Sequence, residues 1–117
     1  MNYVDGFVLA VPNKNRDAYI KYAHDFAPIF KEYGALSVVE NWGDDVPEGE
    51  VTSFSMAVKC EEDETVVFSW VTWPSKQLRD ESWAKMMEDE RFSPEKNPMP
   101  FDGNRLIYGG FQTIVDQ

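Results

Sequence analysis

The chain has 117 residues, 43% hydrophobic and 15% aromatic, which suits one globular domain able to bury a core without a disulfide or metal staple. Acidic residues outnumber basic ones 21 to 11, for a formal charge of −10. Nucleic acid and anionic membrane surfaces both require clustered Lys and Arg, so both are excluded as partners.

The run from Tyr3 to Val11 is rich in Val, Phe and Tyr and alternates weakly, which predicts a first strand ending at Pro12. Asn13 is the expected N-cap of the helix that follows. Within it Tyr19, Tyr22, Ala23, Phe26, Phe30 and Tyr33 recur at three- and four-residue steps, an amphipathic stripe. Pro28 is a candidate kink, and Gly34 suits the position just past the helix end. Ala35 to Trp42 reads as a second strand with Leu36, Val38, Glu40 and Trp42 on one face. Gly43 to Glu50 has turn chemistry. Val51 to Cys60 is open between a strand, from the alternation of Phe54, Met56 and Val58, and a short helical turn. Glu61 to Glu64 reads as an exposed hairpin tip.

The stretch from Val66 to Trp73 carries Phe68, Trp70 and Trp73, an aromatic load that predicts a buried strand near the middle of a sheet. Ser75, behind Pro74, caps a second helix expected to reach Glu90 or Arg91. Trp83, Met86 and Met87 share one face of it, with Arg79 a turn earlier on the same face. Phe92 to Asn104 holds Pro94, Pro98 and Pro100 and reads as an irregular connection. Leu106 to Val115 forms a last strand, in which Gly109-Gly110 signals a bulge or a close backbone approach.

This order predicts an α+β fold, a ferredoxin-like βαββαβ sandwich with two helices on one face of an antiparallel sheet. The other face then carries Val, Phe and Trp and needs a cover. A second copy of the chain is the simplest cover, the two sheets forming a barrel-like core, so the expected partner is self, as a homodimer. The N-terminus lacks the basic start and apolar run of a signal peptide, no stretch approaches the ~20 apolar residues of a membrane span, and the single Cys60 closes no internal disulfide. The expectation is a cytoplasmic protein.

Several strings are specific: Tyr3-Val4-Asp5-Gly6-Phe7, Asn41-Trp42-Gly43-Asp44-Asp45-Val46-Pro47, Val66 to Lys76, Met99-Pro100-Phe101-Asp102-Gly103 and Ile107-Tyr108-Gly109-Gly110-Phe111. In these the chain resembles the YbaA family of small bacterial proteins, nearly end to end. The resemblance implies a ferredoxin-like fold of the dimeric α/β-barrel superfamily and no assigned activity. Relatives by fold include antibiotic-biosynthesis-type monooxygenases, haem-degrading enzymes and stress-response dimers, whose chemistries reach this chain by fold analogy alone.

No cofactor is expected. His24, the only histidine, lies off the aromatic stripe and faces solvent, and no second His or Cys stands near it for zinc or haem. Cys60 precedes four acidic residues, which disfavour a thiolate, so it is a passive thiol. Asp44-Asp45 with Glu48 and Glu50 lacks the alternating ligand spacing of a calcium loop. Charges inside apolar elements are more informative: Asp5 in the first strand, Glu40 in the second, Arg79 on the second helix and Arg105 before the last strand. A charge drawn into a partly buried place must be paired or serve a site. One outcome is an internal salt-bridge set joining Asp5 and Glu40 to Arg79 and Arg105. The other is a small-molecule cleft between sheet and helices, walled by Trp42, Trp70 and Tyr108. There an arginine holds an anionic or enolic group and a carboxylate acts as base, as in a cofactor-independent monooxygenase or isomerase.

Overall fold

The structure is a computed structural model describing residues 1–117. Strands β1 (Tyr3–Pro12), β2 (Ser37–Trp42), β3 (Glu64–Trp73) and β4 (Ile107–Gln112) form one antiparallel sheet in the order β2-β3-β1-β4. The long, aromatic-rich strands β1 and β3 are therefore central, and the two six-residue strands form the edges. Helices α1 (Arg16–Glu32) and α3 (Lys76–Met86) cover one face, and a four-residue helix, α2 (Phe54–Ala57), lies in the connection from β2 to β3.

Alternation assigns each strand residue to a face. Tyr3, Asp5, Phe7, Leu9 and Val11 of β1 and Val67, Ser69, Val71 and Trp73 of β3 point to the helices. Leu9, Val11 and Val67 pack there with Tyr19 and Ala23 of α1, and Val71 and Trp73 pack with Phe30, Trp83 and Met86. The opposite face carries Val4, Val8, Val39, Phe68, Trp70, Ile107 and Phe111. Only one end of that face is covered, where Val58 and Cys60 close over Val8, Ala10 and Val66. Phe68 remains 43% exposed and Phe111 62%, although Phe54 of α2 stands 5.9 Å from the Phe68 ring.

Local chemistry sets the element ends. At the close of α1, Gly34 takes φ 111, its N–H bonds the Lys31 carbonyl, and the Ala35 N–H reaches back to Phe30. This is a Schellman ending, for which glycine is suited. It consumes Ala35 and Leu36, so β2 starts at Ser37 rather than Ala35. The start of α1 also departs from expectation. Asn13 opens a 3-10 turn (Asn13–Asn15), and its side-chain oxygen accepts from the Thr65 hydroxyl; Asn15 precedes α1 without a side-chain cap.

Within residues 51–60 the short helical turn is the alternative that forms, over Phe54–Ala57, and the Ser53 hydroxyl caps it by accepting from the Met56 N–H. Glu64 is no exposed tip but the first residue of β3, its side chain 5% exposed and paired with Arg105. Ser75 caps α3 as expected, through the Leu78 N–H. That helix ends at Met86, short of Glu90, because the Asp89 carboxylate accepts from the Arg91 N–H and starts a separate turn. Met87 consequently faces solvent, 84% exposed. The last strand spans Ile107–Gln112 and pairs with β1 without a bulge. Its glycines serve close approach instead. A Cβ on Gly110 would lie 2.5 Å from the Tyr3 hydroxyl oxygen, and the Phe111 ring lies over Gly6 and Gly109.

Candidate functional site

The helix layer does not fill the space above the sheet. A cavity of about 690 Å³ opens between β1–β3, α1 and the segment after α3, and a second of about 310 Å³ adjoins it towards Trp42. The two share Tyr19, Ala23, Ala27, Val38 and Glu40 and form one cleft. Its size is that of a small-molecule site.

The aromatic stripe of α1 supplies the wall. Tyr22 and Phe26 have ring centroids 4.5 Å apart, and Phe92, from the turn after α3, stacks on Phe26 at 5.1 Å. Phe30 meets Trp83 edge-on at 5.7 Å, and Phe101 meets Tyr19 at 5.8 Å. The stripe thus grips the returning 87–101 segment as well as the sheet, which holds the cleft open between them.

Polar groups are few and converge. The Tyr19 hydroxyl donates to Glu40 Oε1 at 2.6 Å. Glu40 sits opposite Ser69 in the β2–β3 ladder. Glu40 is exposed on the edge strand, while the protein around its carboxylate still crowds it on the helix side. That crowding raises its pKa above the ordinary carboxyl value, against the lowering effect of the Tyr19 and Ser69 hydroxyls. Burial, and next the Glu40 charge, push the Tyr19 and Tyr22 phenols up, so both stay protonated hydrogen-bond donors. At the far end the Tyr33 hydroxyl donates to Asp89 at 2.6 Å, and Arg91, hydrogen bonded to the same carboxylate, holds it well below its ordinary range.

The other inward charges are occupied by protein. The Asp5 carboxylate is 4% exposed and accepts from Arg79 Nη2 at 2.7 Å, Trp83 Nε1 at 2.8 Å and Trp73 Nε1 at 2.9 Å. Arg79 also lies over the Tyr3 ring. Arg105 clamps both oxygens of Glu64 at 2.6 and 2.7 Å and also bonds Asp102 and the Lys59 carbonyl. The salt-bridge set expected from sequence therefore splits in two. Asp5 does meet Arg79, but Arg105 takes Glu64, and Glu40 takes a tyrosine.

Of the candidate ligand-binding residues Asp5, Glu40, Trp42, Trp70, Arg79, Arg105 and Tyr108, Glu40 and Trp42 line the cleft. Trp42 stands at its outer mouth with the Arg16 guanidinium 5.3 Å over its ring, and the exposed His24 borders the same mouth. Trp70 lies on the opposite face of the sheet, 5.3 Å from Phe68. Tyr108 is at the β4 edge, 74% exposed and stacked at 6.5 Å on Phe7. Neither arginine reaches the cleft, so the structure does not assemble an arginine-bearing site walled by Trp42, Trp70 and Tyr108. Of the residues that do build the wall, Tyr19, Tyr22, Phe26 and Phe30 belong to the amphipathic stripe read from the sequence, and Phe92 and Phe101 to the segment read as an irregular connection. The available signal was the pair of tyrosines inside an otherwise apolar stripe, since a buried phenol needs a partner.

Sheet, helices and cleft define an α+β protein with a four-stranded antiparallel sheet and a largely apolar cavity holding a carboxylate–phenol pair. No helix is long and apolar enough to cross a membrane. The chain belongs to the family of proteins of unknown function DUF1428, whose model matches residues 2–103. It is 57% identical over 117 residues, the whole of both chains, to Uncharacterized protein YbaA of Escherichia coli strain K12. The match to Uncharacterized protein YbaA of Shigella flexneri is equally extensive, at 57%.

Proposed function

We propose that this protein is a small-molecule-binding protein of the cytoplasm, a single ferredoxin-like domain that works as a homodimer and receives its ligand in the cleft between sheet and helices. One observation carries the binding reading: a cavity of about 690 Å³ walled by aromatic side chains, with Tyr19, Glu40 and Ser69 as its convergent polar groups. This is the composition of a ligand pocket, in which apolar wall supplies affinity and a few polar atoms fix orientation. The βαββαβ order of the long elements and the β2-β3-β1-β4 sheet support the ferredoxin-like assignment.

The dimer reading rests on the face away from α1 and α3, where Phe68, Ile107 and Phe111 are 43%, 44% and 62% exposed beside Val4, Val8 and Trp70. A contiguous apolar face of this kind suits an isologous interface, which needs about 800 Å² per partner.

A thermal-shift screen of small aromatic and aliphatic compounds tests the binding reading. A binder at 100 times its Kd stabilises by about 2.7 kcal/mol. The expected hit loses its effect in Tyr19→Phe and keeps it in Arg79→Lys and Arg105→Lys. A broad screen without any hit refutes the reading. Sedimentation at micromolar concentration tests the dimer: the native chain sediments as a dimer and Phe111→Glu as a monomer, and a native monomer ends that part of the proposal.

A second reading, a cofactor-independent monooxygenase or isomerase acting on a small aromatic or enolic substrate, is favoured by Glu40 alone. Its carboxylate has no cationic partner, and its pKa is raised by burial, the environment of a general base. Exchange of solvent deuterium into an enolisable cleft ligand, abolished by Glu40→Gln, is the result that would establish it.

A further inference from the structure

The charge of the cleft narrows what it can hold, on the reading that it is a binding site. No lysine, arginine or histidine lines the larger cavity, whereas Glu40, Glu88, Asp89 and Glu90 do. Asp89 is paired with Arg91 and Glu90 with Lys96, while Glu88 is exposed and makes no salt bridge. Glu40, exposed on the edge strand where the two cavities meet, is met by a phenol and no cation. The nearest guanidinium at the outer mouth, that of Arg16, is parked over Trp42. Around Glu40 stand the rings of Tyr19 and Tyr22, with Phe26 and Phe101 behind them. Aromatic faces carry negative quadrupole potential and attract a desolvated cation within about 6 Å of the ring centre. A carboxylate without a counter-ion, set among aromatic faces on a chain of net charge −10, is a receptor for positive charge.

We propose that the cleft takes an organic cation, a protonated amine carried on an apolar or aromatic body, with the ammonium group against Glu40 and the phenol rings and the body along Phe26, Phe30 and Phe92. A ligand carboxylate in the same place would meet Glu40 with no cation of the larger cavity to offset the repulsion, Arg16 being held over Trp42 at the outer mouth, and a neutral ligand forgoes the ion pair. This reverses the polarity expected from sequence, where arginines were to hold an anionic or enolic group.

The test is a charge series on one skeleton: phenethylamine, 2-phenylethanol and 3-phenylpropionate, each titrated by NMR into the native protein, Glu40→Gln and Glu88→Gln. Glutamine at position 40 keeps an oxygen to accept from Tyr19, so the wall is conserved. The amine is expected to bind at least tenfold more tightly than the alcohol, and the propionate most weakly. In Glu40→Gln the amine falls to the affinity of the alcohol, whose own binding is unchanged. Glu88→Gln removes the other lining carboxylate that lacks a cationic partner, and an amine preference lost there but kept in Glu40→Gln overturns the assignment to Glu40. A propionate that equals or beats the amine overturns the cation assignment, as does an amine preference that survives Glu40→Gln, and in both cases binding of the alcohol leaves the cleft reading standing. If no member perturbs any cleft resonance, the cleft reading falls and the charge assignment with it.

Discussion

Asp5→Ala is the most informative single change to the fold. The carboxylate receives Arg79 Nε and Nη2 and the indole N–H groups of Trp73 and Trp83. Alanine leaves all of these without an acceptor, in a site where Trp73 is 0% exposed. Removing one partner of a buried ion pair costs about 3–5 kcal/mol, because the remaining charge stays desolvated. Two features place this pair in the lower part of that range: Arg79 keeps Asp80 at 2.9 Å and 22% side-chain exposure, and Trp83 is only half-buried, so both regain some solvation. The Trp73 indole cannot, and a buried orphan donor alone costs ~1–3 kcal/mol. The expected loss is about 3–4 kcal/mol, a large share of the ~5–15 kcal/mol available to a domain. At roughly 4 °C per kcal/mol for this chain length, Tm falls by about 12–16 °C. Urea unfolding followed by circular dichroism at fixed protein concentration measures it, with Arg79→Leu and the double variant completing the cycle. The double variant should be less destabilised than the two single losses added together, with a coupling of ~2 kcal/mol or more. A loss below about 1 kcal/mol in Asp5→Ala, or a coupling near zero, would refute the view that this carboxylate fastens α3 to the sheet.

Glu40→Gln should raise Tm at pH 8 and leave it nearly unchanged at pH 4. The folded pKa lies above the ordinary 4.5, so the folded state holds its proton more tightly and ionisation subtracts stability as pH rises past that value; equal shifts at both pH values would contradict this. Glu64→Gln should do the reverse. Arg105 holds the Glu64 carboxyl below 4.5, so the native chain's advantage over the variant is full near neutrality and shrinks as pH falls through the lowered value, which a Tm–pH series reads directly. Gly110→Ala should destabilise by ~1–3 kcal/mol, since its Cβ meets the Tyr3 ring at 2.5–2.9 Å, whereas Gly109→Ala, with nothing nearer than 3.6 Å, should stay within about 0.5 kcal/mol of the native protein in denaturant melts.

The sheet was legible in the sequence wherever one period dominated. The aromatic load of Val66 to Trp73 marks a central strand, and β3 lies between β2 and β1. Gly34 ends α1 because only a residue tolerant of positive φ fits the Schellman turn. The Asp5–Arg79 contact follows from the rule that an inward charge needs a partner. Residues 51–60 were open between a strand and a short helical turn because Phe54, Met56 and Val58 alternate over a run too short to decide, and the Ser53 cap that decides it is seen only in the structure. The early stop of α3 hangs on one aspartate hydrogen bond that no periodicity contains. The cleft was the least legible feature. Its two polar partners, Tyr19 and Glu40, are 21 residues apart on different elements, and an aromatic stripe has the same spacing whether it fills a core or walls a cavity.

Trp83 stands in two roles at once. Its ring borders the cleft, and its indole nitrogen is bound to Asp5, the carboxylate that anchors α3. An occupant that displaces the ring therefore pulls on the fold's own fastening, so occupancy and local loosening share one residue. The indole N–H resonance of Trp83 reports both, sensitive to what enters from one side and to the state of the anchor on the other.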